Sequence, residues 1–269
     1  MPELPEVETV ARGLQKRVAG DVIESVWIGS RQQPLKSSPD EIAAMLEGSR
    51  IVQARRVGKH IAIDLARNGD SIGQWIVHLG MTGSMLVVKP DASIEKHTHL
   101  IAKLKSGNEL RYVDPRMFGK LAVTREAFKA PGSEPLDIGF ELFAGLFRKR
   151  KTPIKSALLN QSLLSGVGNI YADESLSRAN IRPRRRAASL TRNELKRLYV
   201  ALQKVLQEAI KAGGSSVSDY VGAEGERGFF QIKHRVYGRE GQPCRKCKTP
   251  IKRIVISGRS AHYCPECQK

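Results

Sequence analysis

The chain has 269 residues, of which 41% are hydrophobic, with 45 Lys and Arg against 27 Asp and Glu. Residues 1–144 hold 19 basic and 18 acidic side chains, whereas residues 145–269 hold 26 basic and 9 acidic. The apolar share excludes a disordered polyelectrolyte, and the confinement of the surplus charge to one half excludes a uniformly basic, histone-like tail protein.

From Pro5 onward, Val7, Val10, Ala11, Leu14 and Val18 recur at helical spacing. Glu3, Glu6 and Glu8 lie near the first turn, where the helix dipole favours negative charge. β-rich runs occupy 22–28, 51–57, 61–65, 72–79, 85–88, 99–105 and 110–113, and Ser106-Gly107-Asn108 is a hairpin turn. Between the first two runs, Ser38-Pro39-Asp40-Glu41 predicts a short helix with Ser38 as N-cap, Glu41 closing a capping box and Gly48 as its stop. Many short strands with short connections predict an antiparallel sandwich or barrel, not a parallel sheet. The composition shifts at Ala130-Pro131-Gly132-Ser133-Glu134-Pro135, and helical patterns follow. Thr191-Arg192-Asn193-Glu194 is a second capping box, opening a helix with Leu195, Leu198, Leu202, Val205, Leu206 and Ala209 on one face and Gly213-Gly214 as its stop.

No apolar run approaches the roughly 20 residues that span a bilayer, and the acidic N-terminus is unlike a secretory signal, so a cytoplasmic protein with no membrane partner is expected. In a reducing compartment cysteines serve as metal ligands more often than as disulfides. Cys244-x2-Cys247-x16-Cys264-x2-Cys267 has the spacing of a four-thiolate zinc site. Four thiolates leave no open coordination position, so one structural Zn2+ and no organic cofactor are expected. Ser257-Gly258-Arg259 reads as a hairpin between the two cysteine pairs, with Arg259 placed to meet phosphate. A surplus of +17 on the second half makes nucleic acid the leading partner.

The N-terminus admits two readings. Pro and Glu are good first-turn residues. Alternatively, removal of Met1 leaves Pro2 as a secondary amine able to attack an aldehyde-level carbon, with Glu3, and secondarily Glu6, supplying acid–base function. Met81 and Phe118 likewise read either as core residues or as exposed wedges.

Pro2-Glu3-Leu4-Pro5-Glu6-Val7-Glu8-Thr9 resembles the N-terminal signature of bacterial formamidopyrimidine-DNA glycosylase. The resemblance covers essentially the whole chain. It runs through His78-Leu79-Gly80-Met81, Lys96-His97, Asp114-Pro115-Arg116-Met117-Phe118-Gly119, Gly166-Val167-Gly168-Asn169-Ile170-Tyr171, Val236-Tyr237-Gly238-Arg239 and Gly258-Arg259. It implies an α+β multidomain fold: an N-terminal antiparallel β-sandwich with flanking helices over 1–130, a helix–two-turn–helix domain over 131–236 and a zinc-finger hairpin over 237–269. It implies a monomeric base-excision repair enzyme, a bifunctional glycosylase and AP lyase that removes oxidised purines from damaged double-stranded DNA. The target nucleotide is flipped into a pocket, because its reacting atoms are unreachable in the duplex. Pro2 then forms a Schiff base and β,δ-elimination follows.

By the same resemblance Pro2, Glu3, Lys59 and Arg259 are catalytic, and Met81, Arg116 and Phe118 fill the vacated space. His78, His97, Arg116, Arg150, Lys151 and Asn169 contact DNA. A guanidinium with a pKa above 12 is a poor proton donor, so phosphate clamping is the preferred role for Arg259. The segment 215–231 resembles the loop that covers the lesion. Two alternatives stand beside this reading: an endonuclease VIII type glycosylase for oxidised pyrimidines, and a non-catalytic zinc-ribbon DNA-binding protein.

Overall fold

The amphipathic N-terminal stretch forms α1 (Leu4–Val18), whose Val7, Val10, Ala11, Leu14 and Val18 are buried along one face. In this computed structural model, which describes residues 1–216, 222, 223, 226 and 228–269, that face packs on a pair of antiparallel sheets. One sheet has the order β2 (Arg50–Val57), β3 (His60–Arg67), β4 (Asp70–His78), β8 (Lys120–Thr124). The other has the order β1 (Ile23–Ile28), β6 (Thr98–Leu104), β7 (Glu109–Val113), β5 (Ser84–Val88). Ile61, Ile63, Trp75 and Val77 of the first sheet share one core with Leu100, Ala102, Leu110 and Tyr112 of the second. Fully burying one such aliphatic side chain stabilises the fold by about 1.5–3 kcal/mol.

The predicted turns and caps form through the expected atoms. In α2 (Pro39–Leu46), the Glu41 amide donates to Ser38 Oγ at 3.2 Å and the Ser38 amide donates to Glu41 at 2.8 Å. Gly107 turns at φ +82° between β6 and β7. The β-rich runs omit β8, which pairs antiparallel with β4 from Gln74↔Thr124 to His78↔Lys120. Its five residues are mostly half-exposed, so alternation along the chain is weak and the pairing partner defines the strand.

Contacts divide the chain into two compact units: Met1–Lys129 with Ala212–Phe229, and Ala130–Lys211 with Phe230–Lys269. The first unit holds 20 basic and 18 acidic residues; the second holds 25 and 9.

The second unit is built from α3 (Phe140–Phe147), α4 (Ile154–Leu159), α5 (Asn169–Ala179), α6 (Arg192–Lys211) and the hairpin β9 (Lys252–Ile256) and β10 (Arg259–Tyr263). The capping box of α6 is closed by Thr191 N–H to Glu194 at 2.8 Å and Glu194 N–H to Thr191 Oγ1 at 3.2 Å. Phe143 packs edge-on against Phe147 and Tyr199, joining α3 to α6. Asn180, in the left-handed region at φ +57°, ends α5. No helix among the described residues is long and apolar enough to cross a membrane.

Two buried carboxylates of α5 hold the remainder of this unit. Lys155 Nζ lies 2.6 Å from Asp173 Oδ1 with neither side chain exposed, and it also donates to the Ser260 carbonyl at 2.5 Å. Asp173 Oδ2 accepts the His262 amide at 2.9 Å. Glu174 accepts the amides of Arg235, Val236 and Tyr237 at 2.9–3.0 Å.

Removing one member of a buried pair strands the other charge. Asp173→Ala is therefore expected to cost about 3–5 kcal/mol in urea unfolding, whereas Glu141→Ala, which breaks the exposed Arg192–Glu141 pair, should leave the curve almost unmoved. A loss at Asp173 no larger than at Glu141 would contradict the desolvated pair.

Candidate functional site

Glu3 is the N-cap of α1 and only 3% exposed. Its amide donates to Glu6 Oε2 at 2.9 Å, and Glu6 Oε1 accepts the Ser215 amide at 2.7 Å. Glu6 thus bridges the head of α1 to the start of the 215–231 segment within one unit. Gly214, at φ +82°, lets that segment approach: a Cβ there would lie 2.8 Å from Glu6 Oε1. Of the segment expected to cover the lesion, residues 217–221, 224, 225 and 227 lie outside the described residues. Pro2 is buried beneath an exposed Met1 and directly precedes Glu3.

The three proposed wedge residues are exposed. Met81 is 36% and Phe118 52% exposed, and the Arg116 guanidinium stacks over the Phe118 ring at 4.9 Å. Asp114, fully buried, organises both loops that carry them. Its Oδ1 accepts Thr82 Oγ1–H at 2.6 Å from the Met81 loop and the Arg116 amide at 3.3 Å. Its Oδ2 accepts the Gly119 amide at 2.8 Å and the Tyr112 hydroxyl at 3.2 Å. Burial, reinforced by this carboxylate, pushes the Tyr112 phenol up, so it stays a donor. The Asp114 amide donates to the His97 carbonyl at 3.0 Å, and its own carbonyl accepts from His99 Nε2 at 2.9 Å.

The two loops also touch through glycine backbones. A Cβ on Gly80 would lie 2.4 Å from the Gly119 nitrogen, and one on Gly119 would collide with the Tyr112 hydroxyl. Sequence reasoning quoted Asp114 inside a motif without giving it a role. The available signal was Asp before Pro, a residue pair that initiates turns and satisfies nearby amides.

His78 ends β4, pairing with His60 on one side and Lys120 on the other. The Gly80 amide donates to its Nδ1 at 3.2 Å, which places the ring proton on Nε2. Burial, then the neighbouring His60, Lys59 and Lys120, depress its pKa to about 4. At neutral pH His78 is therefore an uncharged donor. His97 is half-buried, and its Nδ1 has no partner among the described residues. Lys59 sits in the turn between β2 and β3, after Gly58 at φ +61°.

In the second unit, Asn169 is the first residue of α5 and donates from Nδ2 to Ser260 Oγ at 3.2 Å. Its Oδ1 is buried without a partner among the described residues. Arg259 adjoins Ser260 and is exposed at the start of β10, following a two-residue turn whose Ser257 and Gly258 both have positive φ. Ser257 Oγ lies 3.0 Å from Ser156 Oγ. The fold thus brings Asn169 and Arg259, 90 residues apart in sequence, to one place.

Arg150 and Lys151 are exposed, and Arg150 Nε donates to the Leu146 carbonyl at 2.8 Å. Part of the 182–186 basic run is structural. Arg182 donates to the Gln268 and Pro265 carbonyls, and Arg185 pairs with Glu194, holding that carboxyl down to about 2.

The four cysteine sulfurs all lie within 4.8 Å of one another, with Cys247 3.4 Å from both Cys264 and Cys267. A tetrahedral zinc with bonds of about 2.3 Å requires sulfurs at comparable separations. The Lys246 and Cys267 amides donate to Cys244 and Cys264 sulfur at 3.4 Å, stabilising thiolate character. The donor set therefore fits one structural zinc.

Two outcomes follow. Metal analysis should find one zinc per chain. Chelation should unfold the hairpin and abolish DNA retention, without shifting the fluorescence of Trp27 and Trp75, the chain's only tryptophans, both in the first unit. For His78 the folded pKa lies below the usual 6.5, so its contribution to stability is complete above about pH 6.5 and fades toward pH 4. His78→Gln should flatten the loss of stability across that window, and an unchanged pH profile would refute the assignment.

Three family models match. The formamidopyrimidine-DNA glycosylase N-terminal domain covers residues 1–121, the H2TH domain of the same enzyme covers 131–221, and a zinc finger found in FPG and IleRS covers 241–269. Among curated relatives, the formamidopyrimidine-DNA glycosylases of Solibacter usitatus and Heliobacterium modesticaldum are 46% and 45% identical over 100% of both chains. Among solved structures, a Lactococcus lactis FPG mutant in complex with a Fapy-dG containing DNA is similar at a TM-score of 0.91, with 34% identity over 100% of each chain. The MutM (FPG) protein from Thermus thermophilus is similar at 0.87, with 39% identity over 99% of this chain and 98% of that one. With the N-terminal, H2TH and zinc-finger portions all matched, the chain belongs to the formamidopyrimidine-DNA glycosylase family.

Proposed function

We propose that this chain excises oxidised purines from damaged duplex DNA and cuts the resulting abasic strand, with Pro2 as nucleophile. The observation that carries this reading is the pair of loops locked by Asp114. They expose two large apolar side chains and a guanidinium in the unit that also contains Pro2 and Glu3. Met81 and Phe118 suit insertion into a vacated stack, and Arg116 suits hydrogen bonding to the orphaned base.

Once Met1 is removed, the Pro2 nitrogen attacks C1′ of the flipped nucleotide. The N–C1′ bond forms and the bond to the base breaks, with the base leaving protonated. Glu3 protonates the ring oxygen as the C1′–O4′ bond opens to the iminium. Loss of a C2′ proton then breaks the C3′–O bond and expels the 3′ phosphate, and loss of the C4′ proton breaks the C5′–O bond and expels the 5′ phosphate. Glu6 has both carboxylate oxygens on backbone amides, which suits holding Glu3 and residue 215 more than proton transfer. His78 through Nε2–H, His97, Lys59, Arg150 and Lys151 supply phosphate contacts. So do Asn169 with the amides at the head of α5, and Arg259. Zinc keeps the hairpin that presents Arg259 folded and takes no part in the chemistry. The enzyme acts as a monomer on damaged DNA, and its place of action is the bacterial cytosol and nucleoid.

Borohydride tests this directly. Protein starting at Pro2 should be trapped on duplex DNA carrying 8-oxoguanine opposite cytosine, and Pro2→Gly should lower trapping by at least about a hundredfold. Stronger trapping on an oxidised pyrimidine would move the assignment to the endonuclease VIII type. Absence of trapping with either lesion would favour a non-catalytic DNA-binding protein.

A further inference from the structure

The second unit carries a basic cleft that the reaction does not use. It encloses about 950 Å3 between the last turn of α5, the outer face of α6, the 233–235 segment, residues 244–246 and the second cysteine pair. Eight lysines and arginines line it against one acid, Glu208, which is itself paired with Arg178 at 2.8 Å. A zinc tetrathiolate would add two formal negative charges, still leaving a surplus of about five.

Lys204, Lys233 and Lys246 are exposed, and none has an ion pair or side-chain hydrogen bond among the described residues. The Arg235 guanidinium is in the same state, its backbone amide alone being held by Glu174. Val200, 51% exposed, lies among these cations beside Ala201. Arg178 and Asn180 mark the C-terminal end of α5, whereas Asn169 marks its N-terminal end. At about 1.5 Å per residue the two ends are roughly 15 Å apart, so the cleft is distinct from the place where Asn169 meets the hairpin.

We propose that this cleft docks an acidic peptide segment of a partner protein, with one apolar side chain seated on Val200. Three features select that occupant. The cleft is concave and of pocket size, whereas a duplex offers a broad convex surface. No aromatic ring lines it, and single-stranded nucleic acid is typically bound on aromatic stacking platforms. Unpaired cations around an exposed aliphatic side chain match carboxylates flanking an apolar residue. The proposal is independent of the glycosylase reading, since peptide binding requires no lesion and no Pro2 chemistry.

The test uses the full zinc-loaded chain and a fluorescein-labelled peptide of aspartates flanking one leucine, followed by anisotropy at about 150 mM salt. Binding should persist when the protein is saturated with lesion-containing duplex. The double variant Lys204→Glu, Lys246→Glu should weaken it at least about tenfold, as should Lys204→Ala with Lys246→Ala to a smaller extent. Reversal of two exposed cations outside the cleft, Arg184→Glu with Arg186→Glu, should change it by less than about twofold. Replacing the peptide leucine by serine should also weaken binding. Displacement of the peptide by duplex, equal loss on the control reversal, or cleft variants that lose DNA affinity while keeping peptide affinity would each overturn the proposal.

Discussion

A carboxylate withdrawn from water must be satisfied by donors around it, and this constraint organises several of the loops that carry the proposed site residues. Glu6, Asp114, Asp173 and Glu174 are each 0–1% exposed. Each accepts at least one backbone amide, and each also accepts a donor from a segment remote from its own element, which for Asp114 is the Thr82 hydroxyl. Glu6 holds Glu3 and Ser215, Asp114 holds the loops of Met81 and Phe118, Asp173 holds β10 beside Arg259, and Glu174 holds residues 235–237 ahead of the finger. Loops lack ladder hydrogen bonds, so a buried anion whose donors would otherwise be unpaired is an effective way to give them one conformation. Met81, Arg116, Phe118 and Arg259 can then remain exposed on rigid supports.

The same constraint explains how a strongly basic chain avoids a featureless charged surface. The first unit is nearly balanced, at 20 basic and 18 acidic residues, and several of its acids are committed to architecture. The second has 25 against 9, yet Arg182, Arg185 and Lys155 spend their donors inside the protein. The charge available to a polyanion is therefore narrower than the composition suggests. Arg259 and the head of α5 form one basic locus, and the cleft beside α6 forms another.

Local rules were readable where the interacting atoms are close in sequence. Both capping boxes, the Gly107 turn and the cysteine spacing depend on residues a few positions apart, and their geometry follows from the backbone. β8 was not readable, because its half-exposed residues acquire strand character from β4 across the sheet. The structural role of Arg182 and Arg185 was not readable either, because it depends on carbonyls and a carboxylate that the fold delivers from Pro265, Gln268 and Glu194.

By itself the sequence determined the helix and strand periods, the zinc ligand set and the family, since these rest on residue type at fixed spacing. Only the tertiary structure decided which polar residues act as supports. Asp114 joins the Met81 loop to the Phe118 loop, Ser260 joins Asn169 to the Arg259 turn, and His78 is neutral because burial, and then His60, Lys59 and Lys120, disfavour its charged form. Those properties depend on desolvation and on partners distant along the chain, and neither exists until the sheets and helices have packed.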